Sequence, residues 1–111
     1  MREFNTAPLD VKKEYSEDFQ THPYECGWAS EAIFFISIDD VSGDGATLDA
    51  VVQISNDGFY WTDEGTRFEP MAKKGIYFVR ASHFGGWLRL SCSISGTDAK
   101  FILNNHLALK E

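Results

Sequence analysis

Cysteine is scarce in this chain. Its 111 residues hold two, Cys26 and Cys92, and neither has the close second cysteine of a zinc-binding pair. Two isolated thiols in a chain with no export signal are expected to stay free. No apolar run approaches the roughly 18 residues of a membrane span, and the opening Met1-Arg2-Glu3-Phe4-Asn5-Thr6 lacks the apolar stretch of a signal peptide. The expectation is a chain made and kept soluble, with no membrane as partner. Positive charge is short as well: 10 Lys and Arg stand against 17 Asp and Glu, a net charge of -7. Such a surface repels phosphate backbones, and the densest basic pairs, Lys12-Lys13 and Lys73-Lys74, form no stripe. Nucleic acid is therefore not expected as a partner either.

Catalytic patterns are also missing. His22, His83 and His106 have no partner at helix or strand spacing, and no Gly-x-Ser-x-Gly, P-loop or dinucleotide fingerprint occurs. Asp40-Val41-Ser42-Gly43-Asp44-Gly45 imitates the first half of a calcium loop. Its twelfth position is Val51, where a bidentate Glu should close the coordination shell, so an acidic turn is the better reading. No enzyme activity, catalytic residue, cofactor or metal is expected.

What the chain does hold is aromatic and apolar residues, 14% and 43% of the total. At this length one domain can bury about two-thirds of the surface its unfolded form exposes. The apolar pattern has a period of two. Phe34, Ile36 and Ile38 alternate with Phe35, Ser37 and Asp39; Leu48, Ala50, Val52 and Ile54 repeat the pattern. Residues 75–80 read as another strand. Leu88, Leu90, Cys92 and Ile94 then alternate with Arg89, Ser91 and Ser93, and Phe101, Leu103, Asn105, Leu107 and Leu109 follow. Turns are expected at Asn56-Asp57-Gly58 and Thr62-Asp63-Glu64-Gly65, with a strand Phe59-Tyr60-Trp61 between them. Seven or eight short strands without a long helix predict an all-β antiparallel β-sandwich of jelly-roll type. An immunoglobulin fold is excluded: Trp61 lies too far past Cys26, and Leu90 stands where a tyrosine corner needs Tyr.

One phrase occurs twice. Val41-Ser42-Gly43-Asp44-Gly45-Ala46-Thr47-Leu48 is echoed by Ile94-Ser95-Gly96-Thr97-Asp98-Ala99-Lys100-Phe101, and a shift of 53 residues takes Ser42 to Ser95. Each copy is expected to be a hairpin corner that returns a strand beside its predecessor. Apolar phase matches after the corners and not before them, so the halves are similar in layout without being copies.

Residues 1–27 read as an N-terminal arm and 28–111 as the sandwich. Val11, Tyr15 and Phe19 are four apart behind a possible Asp10 cap, and His22-Pro23 ends any helix, which leaves an extended segment with one helical turn. Such an arm could reach onto a neighbouring subunit or form an edge strand on its own sandwich. The candidate contact residues are Phe4, Leu9, Tyr15 and Phe19 on the arm, with Tyr60 and Trp61, because a strand with rings on both faces leaves at least one outside the core.

Two motifs carry a family likeness. The corner at residues 94–101 and the hairpin Ser55-Asn56-Asp57-Gly58-Phe59-Tyr60-Trp61 resemble those of small sandwich-type virion proteins of tailed phages, over residues 28–110. The resemblance implies a capsid decoration (cement) protein on the outer surface of the virion, assembled in the host cytoplasm. Its implied partners are the major capsid protein and further copies of itself as a dimer or trimer. The competing reading is a carbohydrate-binding or host-adhesion module of a phage tail, with Tyr60 or Trp61 as a stacking platform.

Overall fold

Two strands of this protein are too long for the molecule to hold straight. The computed structural model describes residues 4–82 and 84–111, in seven strands: β1 Phe4–Tyr15, β2 Phe19–Gln20, β3 Tyr24–Glu25, β4 Glu31–Ser55, β5 Thr62–Arg67, β6 Gly75–Ser82 and β7 Trp87–Lys110. At about 3.3 Å per residue a straight β4 would run roughly 80 Å. The longest dimension of the molecule is 46 Å. Both β4 and β7 fold over at their Ser-Gly corners, and each passes from one layer of an antiparallel β-sandwich to the other.

The two long strands are each other's partners, paired from Glu31 with Lys110 to Ser55 with Trp87. In the first layer residues 31–38 of β4 lie between β6 and residues 103–110 of β7, with β1 beyond β7. In the second layer residues 47–55 of β4 lie between β5 and residues 87–95 of β7, with β2 and β3 beyond. All pairings are antiparallel, and the jelly-roll-like sandwich expected from the alternation is what the chain forms.

The corners themselves differ from the expectation. Neither is a hairpin that sends its strand back beside itself; the two corners pair with one another. Val41 opposes Phe101 and Leu48 opposes Ile94; Ser42 opposes Lys100 and Thr47 opposes Ser95; Asp44 faces Thr97 at the centre. The shift of 53 residues exchanges the members of these pairs, so the sequence echo marks a local two-fold. Gly45 and its equivalent Asp98 both take left-handed backbone, with φ of 65° and 52°.

Two further local expectations are corrected. Residues 59–61 are a loop, because the side chains of Ser55 and Asp57 take the backbone N–H groups that a ladder would need. The turn expected at residues 62–65 lies inside β5. There Gly65, at φ 113°, accompanies a bulge where Val51 pairs with Arg67 but Gln53 pairs with Asp63.

The segment expected as an arm is bonded to β7. β1 is an edge strand whose register slips between Pro8 and Asp10 and again between Asp10 and Lys13. Those slips are why its sequence shows neither clean alternation nor a true helical stripe.

Between the layers lies one core. Phe34, Ile36, Leu48, Val52, Leu88, Leu90, Phe101, Leu103, Leu107 and Leu109 are all nearly or wholly buried. Each such side chain contributes about 1.5–3 kcal/mol of transfer free energy. Cys26 and Cys92 are buried in the same core as free thiols.

Candidate functional site

At the end of β4 the chain builds a rigid aromatic loop. Ser55 is buried, and its Oγ accepts the N–H groups of Asp57 (3.2 Å) and Gly58 (2.8 Å) while donating to Asp57 Oδ1 at 2.9 Å. The same Oδ1 accepts the N–H groups of Phe59 (2.8 Å) and Tyr60 (3.0 Å). Four consecutive backbone donors are thus satisfied within the loop, which needs no strand partner. Gly58 sits at φ 82° directly over the Trp87 ring, where an added Cβ would lie 3.2 Å from Cε2. That close approach seats the loop on the first residue of β7.

Electrostatics follow from this geometry. The N–H groups of Tyr60 and Phe59, and then the Ser55 hydroxyl, hold the Asp57 carboxyl below its ordinary value. It remains an acceptor at neutral pH.

The loop is braced in order to expose rings. Phe59 is 83% exposed and Tyr60 81% exposed, which places two large apolar side chains side by side in water. Trp61 is half-buried. One face of its indole is covered by the Arg89 guanidinium, 4.3 Å from the ring centroid. Arg89 Nε donates to Gln53 Oε1 at 2.8 Å, and Gln53 Nε2 donates to Asp63 Oδ1 at 2.9 Å, so the bracket under Trp61 runs across three strands. An open cavity of about 360 Å³ lies beside it, lined by Ser55, Asn56, Tyr60, Trp61, Thr62 and Gly85 among others.

Of the contact residues expected from sequence, the structure brings Tyr60 and Trp61 to this loop and keeps the others elsewhere. Phe19 is buried in the core. Tyr15 stacks on it, centroids 3.5 Å apart and planes 6° from parallel, and Leu9 packs against the same core. In the single chain these three serve internal packing. Burial, followed by the nearby Asp10 carboxylate, raises the Tyr15 phenol above its usual range, and its hydroxyl donates to Asp10 Oδ1 at 3.1 Å. The Phe4 side chain and His83 lie outside the described residues. Among the described residues no group of three or more His, Cys, Asp or Glu side chains is placed to hold a metal ion.

Sequence reasoning missed Phe59, having set it in a strand. The signal was available: Ser55 two residues before Asp57 is the start of a side-chain-to-backbone turn that extends past Gly58. It also missed Ile76 and Phe78 of β6, which are 73% and 50% exposed. Arg80, in phase with both, marked that face as the outer one.

No protein-family model matches the chain, and no curated protein matches it. Solved structures do match, and two of them are informative. The SPBc2 prophage-derived protein YomS superposes with a TM-score of 0.66 at 8% identity, over 100% of this chain and 96% of that one. A chain in the structure of infectious bursal disease virus, Gx strain, superposes with a TM-score of 0.59 at 13% identity, over 98% of this chain and 32% of that one. The fold is shared with viral proteins. The first likeness is whole chain to whole chain; in the second, this protein spans about a third of the viral chain. At such identities the likeness is one of fold alone.

Proposed function

We propose that the protein is a non-enzymatic structural component of a tailed-phage virion, a decoration protein that binds the outside of the head and stabilises its lattice. The observation that carries this reading is the preorganised loop with Phe59 and Tyr60 held out in solvent, on a fold shared end to end with a prophage-derived protein. Exposed rings on a braced loop suit an interface anchor, because their contact area comes at a low ordering cost. The major capsid protein is the partner they would meet. A net charge of -7 suits a component that faces solvent rather than packaged DNA.

The test is binding to particles. Purified protein mixed with heads that lack it is expected to co-sediment with them and to raise their resistance to heat. The Phe59→Ser, Tyr60→Ser double variant is expected to fold normally and to lose binding. Absence of co-sedimentation, or full binding by the double variant, overturns the reading.

One observation favours a second reading, glycan binding by a tail adhesion module: the open cavity beside Tyr60 and Trp61 is also lined by Asn56 and Thr62. Arg89 occupies one face of Trp61, so Tyr60 is the free platform. On a glycan array this reading expects hits that Tyr60→Ala abolishes.

A further inference from the structure

We infer that β6 is a self-association edge, and that a second copy of the chain adds its own β6 antiparallel to it about a two-fold axis at Phe78. A sheet edge presents a row of unpaired backbone donors and acceptors, and proteins normally blunt it with prolines, charges, bulges or brevity. Three of the edges here are blunted in those ways. β1 carries Pro8, Lys12 at φ 46° and Lys13, with two register slips. β5 carries Asp63, Glu64 and the Gly65 bulge, and β2 and β3 have two residues each.

β6 has little of this protection. Its eight residues pair with β4 without a slip, from Glu31 with Ser82 to Ile38 with Gly75. Among the described residues β6 pairs with no other strand. It has no proline, and its one charged side chain is Arg80. Its outer face carries Ile76 and Phe78, and Phe78 lies 6.0 Å from Phe35 of the neighbouring strand, centroid to centroid. An open groove of about 330 Å³ lies beside this strand, lined in part by Arg67, Phe68, Glu69, Ile76 and Phe78.

The strand's own sequence selects a second copy as the occupant. With the axis at Phe78, the two Phe78 rings oppose one another, and the row Phe35, Phe78, Phe78, Phe35 continues across the joined sheet. Tyr77 then faces Val79 of the second copy, and Ile76 faces its Arg80. An axis one residue earlier, at Tyr77, would set Lys74 directly against the second copy's Arg80, and like charges opposite each other are destabilising. Phe78 is therefore the centre that avoids this apposition and also continues the aromatic row.

This inference stands on the edge and not on the virion reading. A dimer that ignores particles would sink that reading alone, and a monomer that binds them would sink this one alone. The experiment is sedimentation of the purified full chain at tens of micromolar, with twice the chain mass expected. Phe78→Lys, a change at a half-exposed side chain, is expected to weaken association about tenfold or more through like-charge apposition while leaving the unfolding temperature near that of the parent. A Phe78→Cys variant treated with a short bis-maleimide is expected to cross-link. Val11→Cys, on the blunted β1 edge, is expected not to. A monomeric parent, a dimer indifferent to Phe78→Lys, or cross-linking that does not distinguish the two cysteine variants overturns the inference.

Discussion

Gly43 and Gly96 each lie against the other's corner. A Cβ added at Gly43 would lie 2.7 Å from Ala99 Cα and from the Asp98 carbonyl oxygen; one added at Gly96 would lie 2.8 Å from Ala46 Cα and from the Gly45 carbonyl oxygen. Both take left-handed backbone, with φ of 108° and 116°. The repeated Ser-Gly is thus one device used twice about a local two-fold, and it lets two bent strands cross layers at backbone-to-backbone distance.

Alanine at either position has to relieve an overlap with backbone and also a disfavoured φ, so Gly43→Ala and Gly96→Ala are each expected to cost about 2–5 kcal/mol. Gly45 separates the two causes. Its φ is 65°, but nothing lies within 4 Å of an added Cβ, so Gly45→Ala is expected to cost only about 1–2 kcal/mol. Urea denaturation of the three variants measures the difference. If Gly43→Ala costs no more than Gly45→Ala, the close approach is not what fixes the corner.

Asp57 holds the aromatic loop, and its removal is expected to act there rather than on the core. In Asp57→Ala the N–H groups of Phe59 and Tyr60 lose their acceptor, and their amide exchange should rise while the global unfolding temperature hardly moves. The pH dependence has a definite sign. The folded carboxyl titrates below its ordinary value of 3.8, so the ordering it gives is whole above that value and is lost as pH falls through the lower folded one. Exchange at these two amides should stay slow at neutral pH and speed up only in acid, beyond intrinsic rates. Equal protection in Asp57→Ala and the parent would refute the assignment.

The strand phases were legible where one face is buried: the buried residues Phe101, Leu103, Asn105, Leu107 and Leu109 follow the alternation directly, as do Phe34, Ile36 and Ile38. Pairing was not legible. Alternation says which side of a strand is inside and not which strand lies alongside, so a corner between two runs looked like a hairpin when it was a bend. In β6 both faces are apolar, with Tyr77 and Val79 half-buried opposite Ile76 and Phe78, so apolar alternation alone does not choose the outer face and only Arg80, in phase with the latter pair, marks it. The aromatic loop was half legible. Tyr60 and Trp61 stand together as the candidate rings outside the core, but through a strand that side-chain hydrogen bonds prevent from forming.

Both thiols are expected to be inert in the folded protein. Burial first, with Glu25 beside Cys26 and Asp10 near Cys92 adding to it, pushes each up to about 12. The thiolate is the reactive form, so a disulfide reagent at neutral pH should titrate neither group in the native state and both after unfolding. The linkage runs opposite to that of Asp57. A raised folded value means that the stability tied to the protonated thiols is whole below the ordinary value of 9.0 and drains away as pH climbs towards 12. Rapid modification of either cysteine without unfolding would contradict this burial.

Asn105 is the one wholly buried polar side chain aligned with the inner apolar row of β7, at 0% exposure. Its Nδ2 donates to Asp10 Oδ2 at 2.8 Å, and Asp10 Oδ1 accepts from Tyr15, while Asn105 Oδ1 has no partner among the described residues. The amide therefore depends on one carboxylate from the edge strand, which ties β1 to the core at a specific register. Asp10→Ala leaves Nδ2 buried and unpaired, and the expected loss is about 1–3 kcal/mol. Asn105→Leu in that background removes the orphaned amide and fills the site with an apolar group of similar size, so it should restore part of the loss; two apolar replacements together can be nearly neutral where one alone is costly. A double-mutant cycle read by chemical denaturation tests the coupling. Strict additivity would mean that Asp10 and Asn105 act independently, and that β1 is held by its ladder alone.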